Sequence, residues 1–100
     1  MCIRDSVTVD REPVIVGTAA ASFTYTEELG HTVVMWPSLD ETLAFVDDYE
    51  RARGGAFAAA ERRAVGAACV YLRGYAARCT HAVGGDARLL ALDEFAAALL

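Results

Sequence analysis

The chain has 100 residues, of which 55% are hydrophobic and 9% aromatic, so it can form one compact domain or part of one. Its formal net charge of -5 disfavours nonspecific binding to nucleic acid or to an anionic membrane. No apolar run reaches the roughly 18 residues that a membrane helix needs, and no signal-peptide pattern is present, so we expect a cytoplasmic protein.

The first six residues differ in character from the rest of the chain. Met1-Cys2-Ile3-Arg4-Asp5-Ser6 resembles a translated sequencing-adapter end, ATG TGT ATA AGA GAC AG. The remainder contains twenty Ala and no Lys, Asn or Gln, as GC-rich coding would give, whereas the adapter codons for Cys-Ile-Arg are rich in A and T. We therefore expect residues 1–6 to be adapter-derived, and residues 7–100 to be an internal or C-terminal piece of a longer protein. The alternative is an ordinary short polar N-terminus.

The first predicted element is a helix from about Pro13 to Phe23. Proline suits the first helical position, and the acidic residues beside it complement the positive end of the helix dipole. Val14-Ile15-Val16 is β-branched and would also suit a short strand, but Ala19-Ala20-Ala21 favours a helix over the longer window. Because the segment is apolar on all sides, we expect it to be buried against several neighbours.

The next residues, Thr24 to Pro37, are predicted to form a loop, although Thr32 to Trp36 has the composition of an edge strand. Ser38-Leu39-Asp40-Glu41 has the form of a capping box, which predicts a helix that starts at Leu39. Gly54-Gly55 provides its end. The predicted apolar stripe of this helix contains Leu39, Leu43, Phe45, Val46 and Tyr49.

A long Ala-rich helix is predicted from about Ala59 to Ala82. Gly66 and Gly74 each cost about 1 kcal/mol relative to Ala, so we expect another helix to approach closely there. Cys69 and Cys79 lie about 15 Å apart along this helix, too far for a disulfide, and both are predicted to be small core residues. The predicted apolar face consists of Val65, Cys69, Leu72, Ala76 and Cys79.

Asp86 is predicted to cap a last helix that runs from Ala87 to about Leu100. Its predicted apolar face consists of Leu89, Leu92, Phe95, Ala96 and Leu99. Together, these patterns predict an all-α assembly of about four helices.

No pattern in the sequence indicates a self-sufficient active site. It has no phosphate-binding glycine loop, no nucleophile elbow and no cysteine pairs at metal spacing. Cys79 and His81 are two positions apart and point to different faces of a helix, so no metal site is predicted. Arginines flank Gly54-Gly55, but the acids among them favour a solvated mixed-charge face over a phosphate-binding patch.

Three blocks of sequence carry a resemblance to a known family. They are Ala44-Phe45-Val46-Asp47-Asp48-Tyr49-Glu50-Arg51-Ala52-Arg53-Gly54, then Phe57 with Ala60-Glu61-Arg62-Arg63-Ala64, and Tyr75-Ala76-Ala77-Arg78-Cys79-Thr80-His81-Ala82. This pattern resembles the C-terminal helical region of bacterial aminoglycoside-phosphotransferase-like kinases, over most of residues 7–83. The resemblance implies a helical C-terminal subdomain of a protein-kinase-like phosphotransferase fold.

The resemblance also implies what this chain lacks. Kinases of that family carry a catalytic Asp in a His-Gly-Asp-like motif and a metal-binding Asp in an Asp-Trp motif, and neither motif lies in this sequence. The implied parent transfers a phosphoryl group from ATP, with magnesium, to a hydroxyl of a small-molecule substrate. We expect the chain to need the missing N-terminal kinase core for this reaction, to bind no cofactor itself and to be inactive alone.

In such kinases the C-terminal helices line the acceptor pocket, which suggests substrate-binding residues here. The candidates, chosen for their chemistry, are Tyr25, Trp36, Asp48, Tyr49, Tyr71 and Tyr75. For Tyr49, Tyr71 and Tyr75 packing in the core is the stronger interpretation, because pockets share their walls with the core.

A second functional hypothesis is a free-standing helical protein-interaction module whose apolar first helix docks a partner. The fragment hypothesis instead expects that helix to expose an apolar patch where the rest of the parent would lie. The residues of this expected patch are Val14, Ile15, Val16 and Phe23.

Overall fold

The computed structural model describes residues 3–100, with side chains described from Arg11 onward. The elements in chain order are α1 (Ile3–Ala21), β1 (Thr24–Glu28), β2 (His31–Met35), α2 (Leu39–Arg53), α3 (Ala59–Ala82), a 3-10 helix (Ala87–Leu90) and α4 (Leu92–Leu99). The described part is therefore mostly helical, with four α-helices and a two-stranded hairpin, and the expectation of an all-α fold is corrected. Met1 and Cys2, which begin the suspected adapter segment, lie outside the described residues.

Helix α1 begins ten residues before its predicted start, so Pro13 lies inside the helix rather than in its first turn. It ends at Ala21, two residues before Phe23. As expected, α1 packs against more than one neighbour, α2 and α3, but it does so with one side only, and Val14 and Ile15 remain exposed. Of the expected apolar patch, Val14, Ile15 and Phe23 are exposed, whereas Val16 is buried.

The segment predicted as a loop forms an antiparallel hairpin, with pairs that run from Thr24 opposite Met35 to Glu28 opposite His31. Its two-residue turn is Leu29-Gly30, and both residues have positive φ, 51° and 80°. Two consecutive left-handed residues make the type I′ geometry that matches the twist of paired strands. The strand-like composition of Thr32 to Trp36 therefore indicated a real strand, and its partner strand was missed.

Helix α2 confirms the predicted boundaries and the capping box. The Ser38 hydroxyl accepts from the Glu41 N–H at 3.1 Å, and a Glu41 carboxylate oxygen accepts from the Ser38 N–H at 3.0 Å. Gly54 ends the helix with φ 84°. The stripe is only partly as predicted, because Leu43 and Phe45 are exposed, while Thr42 and Glu50 are buried.

Helix α3 has the predicted bounds and lies at the centre of the fold, against α1, α4 and the 3-10 helix. Cys69 is buried as expected, but Cys79 is exposed, so its assignment to the core is wrong. Both thiols are free. The core consists of Val16, Ala20, Ala21, Val46, Phe57, Val65, Cys69 and Phe95.

Two glycines mark close approaches to α3. A Cβ on Gly66 would lie 2.6 Å from the Leu99 carbonyl oxygen, which confirms the predicted approach by another helix. At Gly74 the nearest atom is a Leu92 methyl at 3.8 Å, an ordinary contact, so the expectation there is wrong. The tightest approach is at Gly17 on α1, where a Cβ would lie 2.3 Å from the Val65 carbonyl oxygen.

The predicted last helix is interrupted. Asp86 caps a 3-10 helix rather than an α-helix, by accepting from the Arg88 N–H at 3.0 Å. Ala91 then takes a left-handed conformation, φ 51°, before α4 begins. Leu90 and Phe95 are both fully buried, although five residues separate their directions by roughly 140° on one straight helix. The break at Ala91 brings both into the core and leaves Leu89 exposed.

Within the described residues, no helix combines the length and the apolar character needed to cross a membrane.

Candidate functional site

The six predicted site residues lie in three separate places. Tyr25 and Trp36 lie at the base of the hairpin, where both contact the ring of Phe23 edge-on. The ring centroids are 5.2 Å and 5.4 Å from that of Phe23, respectively. Tyr25 is exposed and Trp36 is half-buried. These three rings form a small aromatic cluster outside the main core.

Tyr49 and Asp48 lie on α2. The Tyr49 ring stacks on Phe57 with centroids 6.0 Å apart, and its hydroxyl donates to Glu12 at 2.7 Å. This hydrogen bond, together with some burial, raises the pKa of Tyr49 above its ordinary value. Asp48 is exposed and pairs with Arg51. Packing is therefore the better interpretation for Tyr49, whose hydroxyl already has an internal partner.

Tyr71 and Tyr75 lie one turn apart on the outer side of α3 and are both exposed. The packing interpretation is wrong for these two residues. In the described part of the chain, neither ring contacts another aromatic ring. They are available to a ligand or a partner, but the structure does not join them to Tyr25, Trp36, Asp48 or Tyr49 in one pocket.

A buried arginine that the sequence analysis missed joins distant parts of the fold. Arg73 is only 1% exposed and donates from three nitrogens to three backbone carbonyls. Nε donates to Ala21 at 2.9 Å, Nη1 donates to Leu90 at 2.8 Å, and Nη2 donates to Pro37. The end of α1, the segment after the hairpin and the end of the 3-10 helix are thus fixed by one side chain.

Arg73 has no carboxylate partner among the described side chains. Its guanidinium instead lies over two rings, 4.1 Å from the centroid of Phe95 and 5.2 Å from that of Trp36. Burial lowers the pKa of Arg73, but arginine remains protonated in proteins. The sequence signal was available: position 73 continues the i, i+4 spacing of Val65 and Cys69, so a charged residue falls on the predicted apolar face.

A cleft between α2, α3 and α4 has a volume of about 220 Å³. Ligand pockets usually measure roughly 300–1,000 Å³, so this one is small. Two of its polar side chains are bonded to carbonyls of α1: the Thr42 hydroxyl donates to Ala20 at 3.1 Å, and the Cys69 thiol donates to Gly17 at 3.2 Å. Arg62 and Arg63 also line the cleft, and Arg62 is bonded to Glu50. Burial raises the pKa of Cys69 to about 11, so its thiol is not a nucleophile at neutral pH.

The turn between α2 and α3 is held by Glu50. One carboxylate oxygen accepts from the Phe57 N–H at 2.6 Å, and the other accepts from Arg62 at 2.8 Å. Arg62 also reaches Asp47 at 3.4 Å. Arg51 pairs with Asp48, and Arg53 pairs with Glu12 on α1. The charges here are mixed, as expected, but Glu50 is buried rather than solvated, and its bonds stabilise the turn.

Replacing Glu50 with glutamine is expected to lower the free energy of unfolding at neutral pH by about 2 kcal/mol, because a buried charge-assisted hydrogen-bond pair is weakened. The Phe57 N–H, and then Arg62, hold the pKa of Glu50 below its ordinary value of 4.5. The stabilisation is therefore complete above pH 4.5 and is lost as the pH falls through the folded-state pKa. Urea unfolding at several pH values measures this.

The matched control for this change is Asp48→Asn on the same helix. Its carboxylate is 72% exposed and pairs with a similarly exposed Arg51, so little change is expected. The difference in stability between wild type and E50Q should shrink on acidification. A difference that is absent at neutral pH, or that grows in acid, would contradict the role of Glu50.

Several of the enclosed polar groups among the described residues hold the scaffold together. Among the described side chains, no group of three or more His, Cys, Asp or Glu could hold a metal ion. The polar groups with the most constrained surroundings, Glu50, Cys69 and Arg73, all bond to the backbone of neighbouring elements. Compared with known proteins, the chain matches no family model, no curated protein and no solved structure.

Proposed function

We propose that the chain is the helical, acceptor-side part of an ATP-dependent small-molecule phosphotransferase that resembles the aminoglycoside phosphotransferases. The observation that carries the proposal is the resembling block 44–64, which coincides with a structural unit: α2, its turn and the start of α3. Glu50, Phe57 and Arg62, all within that block, form the contacts that fix the turn. The resemblance therefore falls on residues with a definite structural role.

In this proposal the chain supplies scaffold and acceptor-pocket surface, while a kinase core outside the sequence binds ATP and magnesium and carries the catalytic Asp. Tyr71 and Tyr75 are the better candidates for contact with the small-molecule substrate, because they are exposed and have no ring partner among the described residues. Tyr49 is assigned to the scaffold, since its ring stacks on Phe57 and its hydroxyl is bonded to Glu12.

Exposed apolar residues on α1 and the hairpin support a larger assembly. Val14 and Ile15 lie on the side of α1 away from its helical neighbours, and Phe23 and Tyr25 expose aromatic surface at the base of the hairpin. Exposed apolar side chains of this kind suit a surface where another part of a protein docks. The proposed kinase core would cover it.

The proposal is tested by sequencing the source DNA upstream of codon 7 and expressing the chain with the reading frame found there. We expect His-Gly-Asp-like and Asp-Trp-like motifs upstream, and magnesium-dependent phosphoryl transfer from ATP to a hydroxylated small molecule by the extended protein. The chain alone should show no turnover. In the extended enzyme, Tyr75→Ala should raise KM for the acceptor and leave KM for ATP unchanged.

An upstream frame without these motifs would refute the proposal, and magnesium-dependent activity of the chain alone would refute its assignment as inert. A native start codon at Met1 would favour the second candidate, a free-standing helical interaction module. The exposure of Val14 and Ile15 on α1 favours that candidate, because they offer the apolar surface with which a docking helix would bind its partner.

A further inference from the structure

The hairpin β1–β2 is an incomplete sheet. Both of its faces are largely exposed, and its base contacts the rest of the fold through Trp36 against Arg73. Within the described residues no third strand pairs with it. Two-stranded hairpins are marginally stable in water, and three or more strands are usually needed.

The two open edges differ in charge. β1 carries Glu27 and Glu28, and charged side chains are a common means of preventing edge-to-edge pairing. β2, with the sequence His31-Thr32-Val33-Val34-Met35, contains no Asp, Glu, Lys or Arg. It is rich in β-branched residues that favour strands. The edge of β2 is therefore open to pairing, whereas that of β1 is protected.

The register of the hairpin defines which backbone groups are free. Glu28 and His31 flank the two-residue turn and so form a hydrogen-bonded pair, and such pairs alternate along an antiparallel ladder. Val33 and Met35 therefore also direct their N–H and C=O groups toward β1. Thr32 and Val34 direct theirs outward, which leaves two donors and two acceptors on the open edge.

We propose that β2 pairs with β2 of a second copy of the chain, antiparallel, about a two-fold axis at Val33. In this register Thr32 of each copy exchanges backbone hydrogen bonds with Val34 of the other, so every outward group on β2 is satisfied. Val33 lies opposite its own symmetry mate, and the result is a four-stranded sheet with both β1 strands outermost.

The distribution of charged side chains favours a second copy of the chain as the partner and β2 as the strand that pairs with it. Pairing through β2 brings together no charged side chains, whereas pairing through β1 would bring four glutamates, two from each copy, into one sheet centre. A two-fold contact also requires a segment that complements itself, and Thr32-Val33-Val34 does so when the axis lies at Val33, where both outward residues pair within β2. This inference goes beyond the proposed phosphotransferase function and does not depend on it.

Light scattering coupled to size-exclusion chromatography tests the proposal on the full chain. We expect a mass approaching twice the 10.7 kDa of one chain as concentration rises. Val33→Lys places two like charges opposite each other on the axis, and should return the mass to that of one chain. The matched control is Thr26→Lys, which adds the same charge opposite position 33 within the hairpin but on the outermost strand, and should leave the dimer intact.

Hydrogen exchange of the wild-type protein provides a test that does not depend on any variant. The Thr32 and Val34 amides should be protected in the dimer, whereas the Tyr25 and Glu27 amides, which point outward from β1, should exchange freely. A mass of one chain at all concentrations, equal dissociation by both lysine variants, or exchange of Thr32 and Val34 as fast as that of Tyr25 and Glu27 would each overturn the proposal.

Discussion

Replacing Arg73 with methionine is expected to destabilise the fold by about 3 kcal/mol. Each carbonyl that loses its partner in a buried site costs roughly 1–3 kcal/mol, and Arg73 supplies three such partners. Removing an unpaired buried charge recovers part of this cost, because its desolvation penalty disappears. The lost hydrogen bonds outweigh the recovered desolvation penalty, because the three carbonyl acceptors are backbone groups that stay buried after the substitution.

Urea unfolding followed by circular dichroism measures this change, and the fluorescence of Trp36, 5.2 Å from the guanidinium, reports on the site itself. Arg73→Lys should be intermediate in stability, because one ammonium cannot reach carbonyls on three elements as the guanidinium fork does. The control is Arg78→Met on the exposed side of α3, which should change stability by less than about 0.5 kcal/mol. Equal effects at positions 73 and 78 would contradict the role of Arg73.

Replacing Gly17 with alanine is the second change expected to have a large effect, a loss of about 2 kcal/mol or more. The new Cβ would lie 2.3 Å from the Val65 carbonyl oxygen and 2.9 Å from the Ala68 methyl. A backbone atom cannot move without its helix, so α1 must shift away from α3. Overpacking costs roughly 1–3 kcal/mol and occasionally more, and a clash with a backbone atom is expected at or above the top of that range. Subtracting the helix-propensity gain of about 1 kcal/mol leaves a net loss of about 2 kcal/mol or more.

The same substitution at Gly55 provides the control, because no atom lies within 4 Å of a Cβ built there. Gly55→Ala should be neutral or slightly stabilising, since it only restricts the unfolded chain. Thermal unfolding of the two variants side by side isolates the effect of the contact. A G17A protein as stable as G55A would show that α1 and α3 are not packed as described.

The candidate site could be predicted only in part. The candidate substrate-binding residues were selected from the sequence by their chemistry alone. Their solvent exposure in the structure then distinguishes Tyr71 and Tyr75, which lie at the surface, from Tyr49, which is hydrogen-bonded and stacked within the fold. The position of Arg73 on the predicted apolar face was a signal that the sequence analysis did not use, but that signal does not show what the arginine binds. Its partners Ala21 and Leu90 lie 52 and 17 positions away, where no local pattern reveals them.

The sequence by itself determined the elements whose signals lie within a few residues of one another. The bounds of α2 and α3 follow from the capping box at Ser38 and Glu41, the left-handed Gly54 and the Ala-rich run after Ala59, because these signals are local in sequence. Such features form in any tertiary setting.

Only the tertiary structure decided the remaining features. The last helix breaks at Ala91 because Leu90 and Phe95 must both enter one core, and Gly17 is required because α1 crosses α3 at that residue. The position of the hairpin depends on Arg73, which reaches Pro37 from the middle of α3. Each of these three features depends on contacts between residues that are distant in sequence. Those residues come together only when all the helices pack into one core.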